Sequence, residues 1–280
     1  MSIKELDPQI VWKNFYALTQ IPRPSKHEEL AVEYMYNWGK EHGLEPIKDE
    51  VGNIIIRKPA TPGYEDRMGV VLQAHVDMVP QKNSDKVHDF EKDPIETRIV
   101  DGWVKANGTT LGADNGVGAA AAMAVLEATD LEHGPIEALF TIDEETGMTG
   151  ANALEPGVLK GDILINTDSE TEGELYVGCA GGIDTCGYFT PKFEEVPAGS
   201  KAFQLIVKGL KGGHSGMDII VGRANANKVM NALLLKATEK FNARVADIQG
   251  GSLRNAIPRE SFVTVTVPEN TAEELVAYVA

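Results

Sequence analysis

The sequence predicts an α/β fold over residues 1–181, followed by a smaller ferredoxin-like α+β unit over residues 182–280. Two observations carry this. Apolar runs at residues 69–75, 136–142 and 163–167 alternate with segments of helical periodicity, as in a largely parallel sheet whose strands are buried on both faces. After about residue 182 the order becomes strand, helix, strand, strand, helix, a ferredoxin-like unit lacking its last strand.

Each element has its own signal. Residues 9–20 place Ile10, Val11, Phe15 and Leu18 at helical spacing, and a turn with Pro22 and Pro24 follows. Ser25-x-x-Glu28 reads as a capping box opening a second helix that runs to Gly43 as its C-cap. Short β-like runs at 46–49 and 53–57 flank the turn Val51-Gly52-Asn53. GVVLQAH (69–75) is a buried strand, and residues 95–106 form a hairpin about Asp101-Gly102. Residues 114–129 are an Ala-rich helix whose run 119–124, with Met123, packs on the sheet, and strands follow at 136–142 and 163–167. The glycine-rich stretch 178–182 marks the domain boundary. Beyond it, 202–207 alternates like a half-exposed strand, 224–240 is an amphipathic helix, 243–249 and 261–267 are strands, and a helix starts at Thr271. A closing strand is expected beyond residue 280.

Composition narrows the function classes. A net charge of −16 argues against nucleic acid, which needs clustered Lys and Arg. No apolar stretch approaches the roughly 18 to 20 residues that span a bilayer, which excludes a membrane partner of that kind. The start MSIKELDPQIVWKNF lacks the features of a secretory signal, so a cytoplasmic location is expected. Cys179 and Cys186 are too few for a disulfide framework and read as reduced thiols. His27, His42, His88 and His133 belong to no motif and are expected at the surface.

Four acidic or His-bearing motifs carry the chemistry: His75-Val76-Asp77, Gly112-Ala113-Asp114-Asn115-Gly116, Asp143-Glu144-Glu145-Thr146-Gly147 and Asn166-Thr167-Asp168. They sit just beyond core strands or at a helix start, and ligands of open α/β sheets bind at the carboxyl ends of strands. Taken singly, Asp114 reads equally as a helix cap, the glutamates as solvated charges and Asp168 as a turn residue. Together they offer one imidazole and several carboxylates, a set suited to zinc or a similar divalent ion, and one carboxylate can bridge two metals. Glu144 and Glu145 are neighbours on what is expected to be an extended segment. Their side chains then diverge, so that one can hold metal while the other moves a proton. Asp77 can accept the second imidazole N–H of His75 and fix its tautomer.

The runs AHVDMVPQKN, TTLGADNGVGAAAAMAVLE, LFTIDEETGMTGA and INTDSETEGELYVGCAGG resemble the aminoacyl-histidine dipeptidases. Those enzymes form a branch of the di-zinc peptidase family that also holds carnosinases, aminoacylases and glutamate carboxypeptidases. The resemblance covers essentially the whole chain. It implies a zinc-peptidase catalytic domain with a central mixed sheet flanked by helices, carrying an inserted ferredoxin-like lid. It also implies hydrolysis of small dipeptides, Xaa-His including β-alanyl-histidine, with two divalent ions, zinc first and cobalt or manganese as alternatives. By the same resemblance Asp114 bridges the metals, His75 and Asp168 hold one, and Glu145 holds the other. Glu144 is then the general acid/base, Asp77 orients His75, and the Asp114-Asn115 peptide is cis. The remaining zinc ligand is a His far downstream, and residues 1–280 offer no match for it. Gly212-Gly213-His214-Ser215-Gly216 resembles the lid motif whose His stabilises an oxyanion. Arg254-Asn255-Ala256-Ile257-Pro258 resembles a substrate-binding stretch, Asn255 hydrogen-bonding substrate and Arg254 meeting its carboxylate. A homodimer is compatible with this reading. Its rivals are an N-acyl amino acid deacylase of the same family and a catalytically silent metal-binding protein.

Overall fold

A computed structural model describes residues 2–169, 171–178, 183 and 185–279. Cys179 and Gly181-Gly182 of the expected boundary lie outside the described residues. The chain divides into two compact units, Met1–Gly181 and Gly182–Ala280. The described thiol, Cys186, is free and exposed. No helix among the described residues is long and apolar enough to cross a membrane.

The first unit opens with α1 (Gln9–Thr19) and α2 (Glu29–Glu41), then β1 (Glu45–Lys48), β2 (Ile54–Lys58) and β3 (Val70–His75). The hairpin β4 (Thr97–Val100) and β5 (Trp103–Ala106) follows. Asp101 and Gly102 both have positive φ at its turn, as a tight two-residue connection requires. Next come α3 (Ala113–Glu127), β6 (Ile136–Thr141), the single turns α4 (Glu144–Gly147) and α5 (Thr149–Asn152), and β7 (Ile163–Asn166). The main sheet is mixed, in the order β1-β2-β6-β3-β7. Strand β3 is parallel to both β6 and β7, while β1 and β2 run antiparallel. The two-residue period sorts its side chains. Ile54, Ile56, Ala74, Ala138 and Phe140 face a core with Phe15, Leu18, Met35 and Met123 from the helices, and Ile55, Val71 and Leu139 face the other way.

Two expectations are corrected here. The run 163–167 is not buried: β7 pairs with β3, and Ile163, Leu164 and Ile165 are 41%, 54% and 47% exposed. An apolar run records the environment a strand suits, and among the described residues only β3 flanks this one. Ser25 does not cap α2, which starts at Glu29 with Glu28 at its N-cap position. Its hydroxyl donates instead to Asp77 Oδ2 at 2.8 Å.

The second unit holds β8 (Ser200–Val207), α6 (Ala226–Phe241), β9 (Arg244–Gly250), β10 (Ser261–Pro268) and α7 (Ala272–Val279). Its antiparallel sheet has the order β8-β10-β9, so the third strand lies between the first two as in a ferredoxin-like unit. Leu205, Met230, Leu234, Phe241, Val263, Val265 and Leu275 form its core. Asn225 caps α6, accepting the N–H groups of Asn227 and Lys228.

Candidate metal centre

Because β3, β6 and β7 are mutually parallel, their carboxyl ends lie along one edge of the sheet. His75 ends β3, Glu144 and Glu145 follow β6, and Asp168 follows β7. Asp114 joins them from the start of α3, where it and Asn115 depart from helical geometry across a cis peptide, as the resemblance implies. Asp114 is therefore no ordinary cap.

The structure gathers these groups about one buried ring. His75 Nε2 lies 3.1 Å from Asp114 Oδ1, 3.6 Å from Asp168 Oδ1 and 3.9 Å from Glu144 Oε2. Two overlapping sets could each hold a cation, His75 with Asp114 and Glu145, and His75 with Glu144 and Asp168. The other ring nitrogen, Nδ1, lies 3.1 Å from Asp77 Oδ1. Asp77 is fully buried. It also accepts the backbone N–H groups of Glu144 and Glu145 at 3.1 and 3.2 Å. One carboxylate thus orients the imidazole and anchors the turn that carries both glutamates. That segment is the helical turn α4, not the extended chain expected. Successive residues still diverge there, by about 100° in an α-helix of 3.6 residues per turn.

The electrostatics ask for a cation. Burial alone would lower the His75 pKa, yet Asp114, Asp168 and Asp77 raise it to about 12. Glu145 is pushed up to about 8 by burial first, then by the charges of Asp114 and Glu144. Glu144 is raised as well, by burial and then by Asp168, Asp77 and Asp114 against the opposing pull of His75. Burial first, then the neighbouring anions, hold the protons of Glu144 and Glu145 above the ordinary range, and further positive charge among them would release those protons. Divalent ions would supply it, and the donor set of imidazole nitrogen and carboxylate oxygens suits zinc.

Several contributors, Ser25, Glu28 and Asn53 among them, escaped sequence reasoning. Glu28, Asp77 and Asp143 form a second buried carboxylate group. Its oxygens take donors from the protein: Glu28 accepts the N–H groups of Lys26 and Asp143, and Asp143 accepts the hydroxyls of Thr146 and Thr149. Asn53, also buried, accepts the N–H of Ile142 and donates to Gly150 O, clamping the segment on both sides of the glutamates. Only the capping-box spacing had singled out Ser25 and Glu28, and it assigned them another task. Two surface expectations fail. His88 is 7% exposed, stacked edge-on against Phe90, and His133 is half-buried with Nδ1 2.7 Å from Gly134 O. His27 is exposed, and His42 stacks on Trp38 beside Glu127.

In the second unit the two expected motifs meet. His214 and Ala256 form an antiparallel bridge, Ser215 N–H donates to Asn255 O at 2.9 Å, and Ile257 N–H donates to Gly213 O at 2.7 Å. Asn255 and Arg254 thus lie on the stretch that pairs with the His214 turn. The N–H of Gly216 donates to His214 Nδ1 at 3.0 Å, so the proton of a neutral ring sits on Nε2. Asp218 accepts the His214 N–H at 2.7 Å and pairs with Arg223, which in turn donates to Gly212 O at 2.9 Å.

A mixed α/β sheet thus bears an imidazole and carboxylates at its parallel strand ends, and a separate α+β unit follows it in sequence. Known proteins resemble the chain over both units. Residues 71–203 match the peptidase family M20/M25/M40, and residues 205–280 match a peptidase dimerisation domain. The chain is 55% identical over 273 residues to the cytosol non-specific dipeptidase of Escherichia coli, spanning 98% of itself and 56% of that protein. It is 50% identical to the crystal structure of aminoacylhistidine dipeptidase from Vibrio alginolyticus, with a TM-score of 0.63, covering all of this chain and 58% of that one. Aminopeptidase PepT from Bacillus cereus, 20% identical with a TM-score of 0.51 over 97% of this chain and 70% of its own, shares the fold. The chain resembles peptidase family M20/M25/M40 over residues 71–203 and a peptidase dimerisation domain over residues 205–280. It spans somewhat more than half the length of the two dipeptidases.

Proposed function

We propose that the protein is a two-metal dipeptidase of the cytoplasm, using zinc and cleaving small unblocked dipeptides, Xaa-His and β-alanyl-histidine among them. The observation that carries this reading is the pairing of Glu144 with Glu145. The two are held on one turn by Asp77, beside His75, Asp114 and Asp168. Asp114 would bridge, His75 and Asp168 would hold one ion, and Glu145 the other. Divalent ions held by these residues would supply an acidified water and a polarised peptide carbonyl. Glu144 would take the proton of the attacking water and pass it to the leaving amine. Asp77 would keep the His75 tautomer that leaves Nε2 free to ligate. His214, its Nε2 carrying the proton, would donate to the oxyanion, and Asn255 and Arg254 would bind the substrate's polar groups. The likeness to two dipeptidases supports the substrate class, and the match to a dimerisation domain supports a homodimer.

Release of histidine by the zinc-loaded full-length protein tests the reading. Ala-His and β-alanyl-histidine should be cleaved and N-acetyl-histidine spared. Preference for N-acetyl-histidine would make the protein a deacylase, and no release from any of the three would leave a metal-binding protein without this chemistry.

A further inference from the structure

Arg23 is the largest of the fully buried side chains among the described residues, 2% exposed, and sits between two prolines that restrict the backbone on either side. Its own segment is docked to the residues after His75: Met78 N–H donates to Arg23 O at 3.1 Å, and Pro24 bridges Met78. The guanidinium reaches further. Nη1 donates to Val76 O at 2.8 Å and to Asp77 O at 3.3 Å, while Nη2 donates to Gly112 O at 2.6 Å. Those carbonyls belong to the two segments that present His75 and Asp114. The glycines of Gly112-Ala113-Asp114-Asn115-Gly116 make the room, since a Cβ at either Gly112 or Gly116 would stand 2.6 Å from Nη2. Burial lowers the Arg23 pKa to about 10 against the opposing charges of Asp77 and Asp114, which leaves it cationic at neutral pH.

We propose that Arg23 is a positioning residue of the metal centre. Its guanidinium ties the Asp114 segment at Gly112 to the His75 segment at Val76-Asp77, and so fixes the spacing of the two ligands in advance of any ion. The inference rests on the metal-site reading above and adds to it a residue that ligates nothing. A planar fork can serve carbonyls on two segments at once. An ammonium on a flexible stem holds one point and does not reproduce that reach.

The test is zinc affinity of the full-length protein, read by competition with a chromophoric chelator. Groups that orient metal ligands are worth about 10- to 100-fold in affinity. Folded Arg23→Lys should therefore bind zinc about 10- to 100-fold more weakly than wild type. A staple for the fold alone would lower the melting temperature and leave the zinc affinity of the folded protein unmoved. Should Arg23→Lys fail to fold, Gly116→Ala displaces the guanidinium without removing its charge, because the new Cβ meets Nη2 at 2.6 Å and Cζ at 3.4 Å. It should weaken zinc binding by itself and cost less when added to Arg23→Ala, where the guanidinium contacts are gone and the contact with Phe15 Cε2 at 3.1 Å remains. Wild-type affinity in folded Arg23→Lys, or an equal cost of Gly116→Ala in both backgrounds, overturns the inference. A wild-type protein that binds no zinc would instead sink the metal-site reading on which it stands.

Discussion

Asp77 shows how one residue can serve a site it does not enter. It is fully buried, and burial by itself would raise its pKa. Its hydrogen bond to His75, the His75 charge, the Glu144 N–H and the Ser25 hydroxyl together hold it below the usual carboxylate range. It is therefore a fixed anion that sets the imidazole and the glutamate turn relative to each other. With the turn so anchored, exchanging the Glu144 carboxylate for an amide should leave the ligands in place. Glu144→Gln is expected to keep the metal content of the full-length protein and lose about 10²- to 10⁴-fold in turnover. Paired metal analysis and kinetics check this, and loss of stoichiometric metal would show that the roles of Glu144 and Glu145 are exchanged. The clustering of His75 with Asp114, Glu144, Glu145 and Asp168 was legible in the sequence because residues just past strands or at a helix start have few places to point. Arg23, Ser25, Glu28 and Asn53 were not. The partners that bring them to the site lie 52 to 115 residues away, and a spacing rule reads neighbours only.

At the scale of elements, periodicity located nearly every strand and helix, since apolar spacing is a direct record of which face meets the core. It did not say how far each strand is covered, and β7 is the consequence. It also did not say how closely elements approach. The start of α3 and the end of β7 are nearly in contact at Gly118, where a Cβ would meet Asn115 Oδ1 at 2.0 Å and Thr167 O at 2.9 Å. In an open helix Gly→Ala is stabilising by about 1 kcal/mol. Here the sign should reverse. Gly118→Ala is expected to cost about 1–3 kcal/mol by overpacking, read from denaturant unfolding. A more stable variant would mean that the close approach of Asp114 and Asp168 is not held by this contact.

Across the whole molecule, the surplus of acid has a definite pH signature in the metal-free state. Glu145, raised to about 8, and Glu144, also raised, bind protons in the folded chain that the unfolded chain has released above about 4.5. The folded state then holds more protons, so stability falls as pH rises through that window. His75, at about 12 folded and 6.5 unfolded, acts in the same direction above 6.5. In chelator, the melting temperature should fall between about pH 5 and pH 8, and added zinc should restore most at the alkaline end. A metal-free melting temperature that rises across this interval would contradict the crowding of carboxylates described here.

The central claim is that one cluster at the carboxyl ends of β3, β6 and β7 holds two ions through a shared Asp114. The measurement that tests it most directly is zinc content of the full-length protein, taken side by side for wild type, Asp114→Ala and Glu145→Ala. A bridging ligand serves both ions and a terminal ligand one. The account predicts about two zinc ions per chain in wild type, loss of both in Asp114→Ala, and loss of mainly one in Glu145→Ala. Equal loss in the two variants would contradict the bridge, and undiminished zinc in Asp114→Ala would contradict the site.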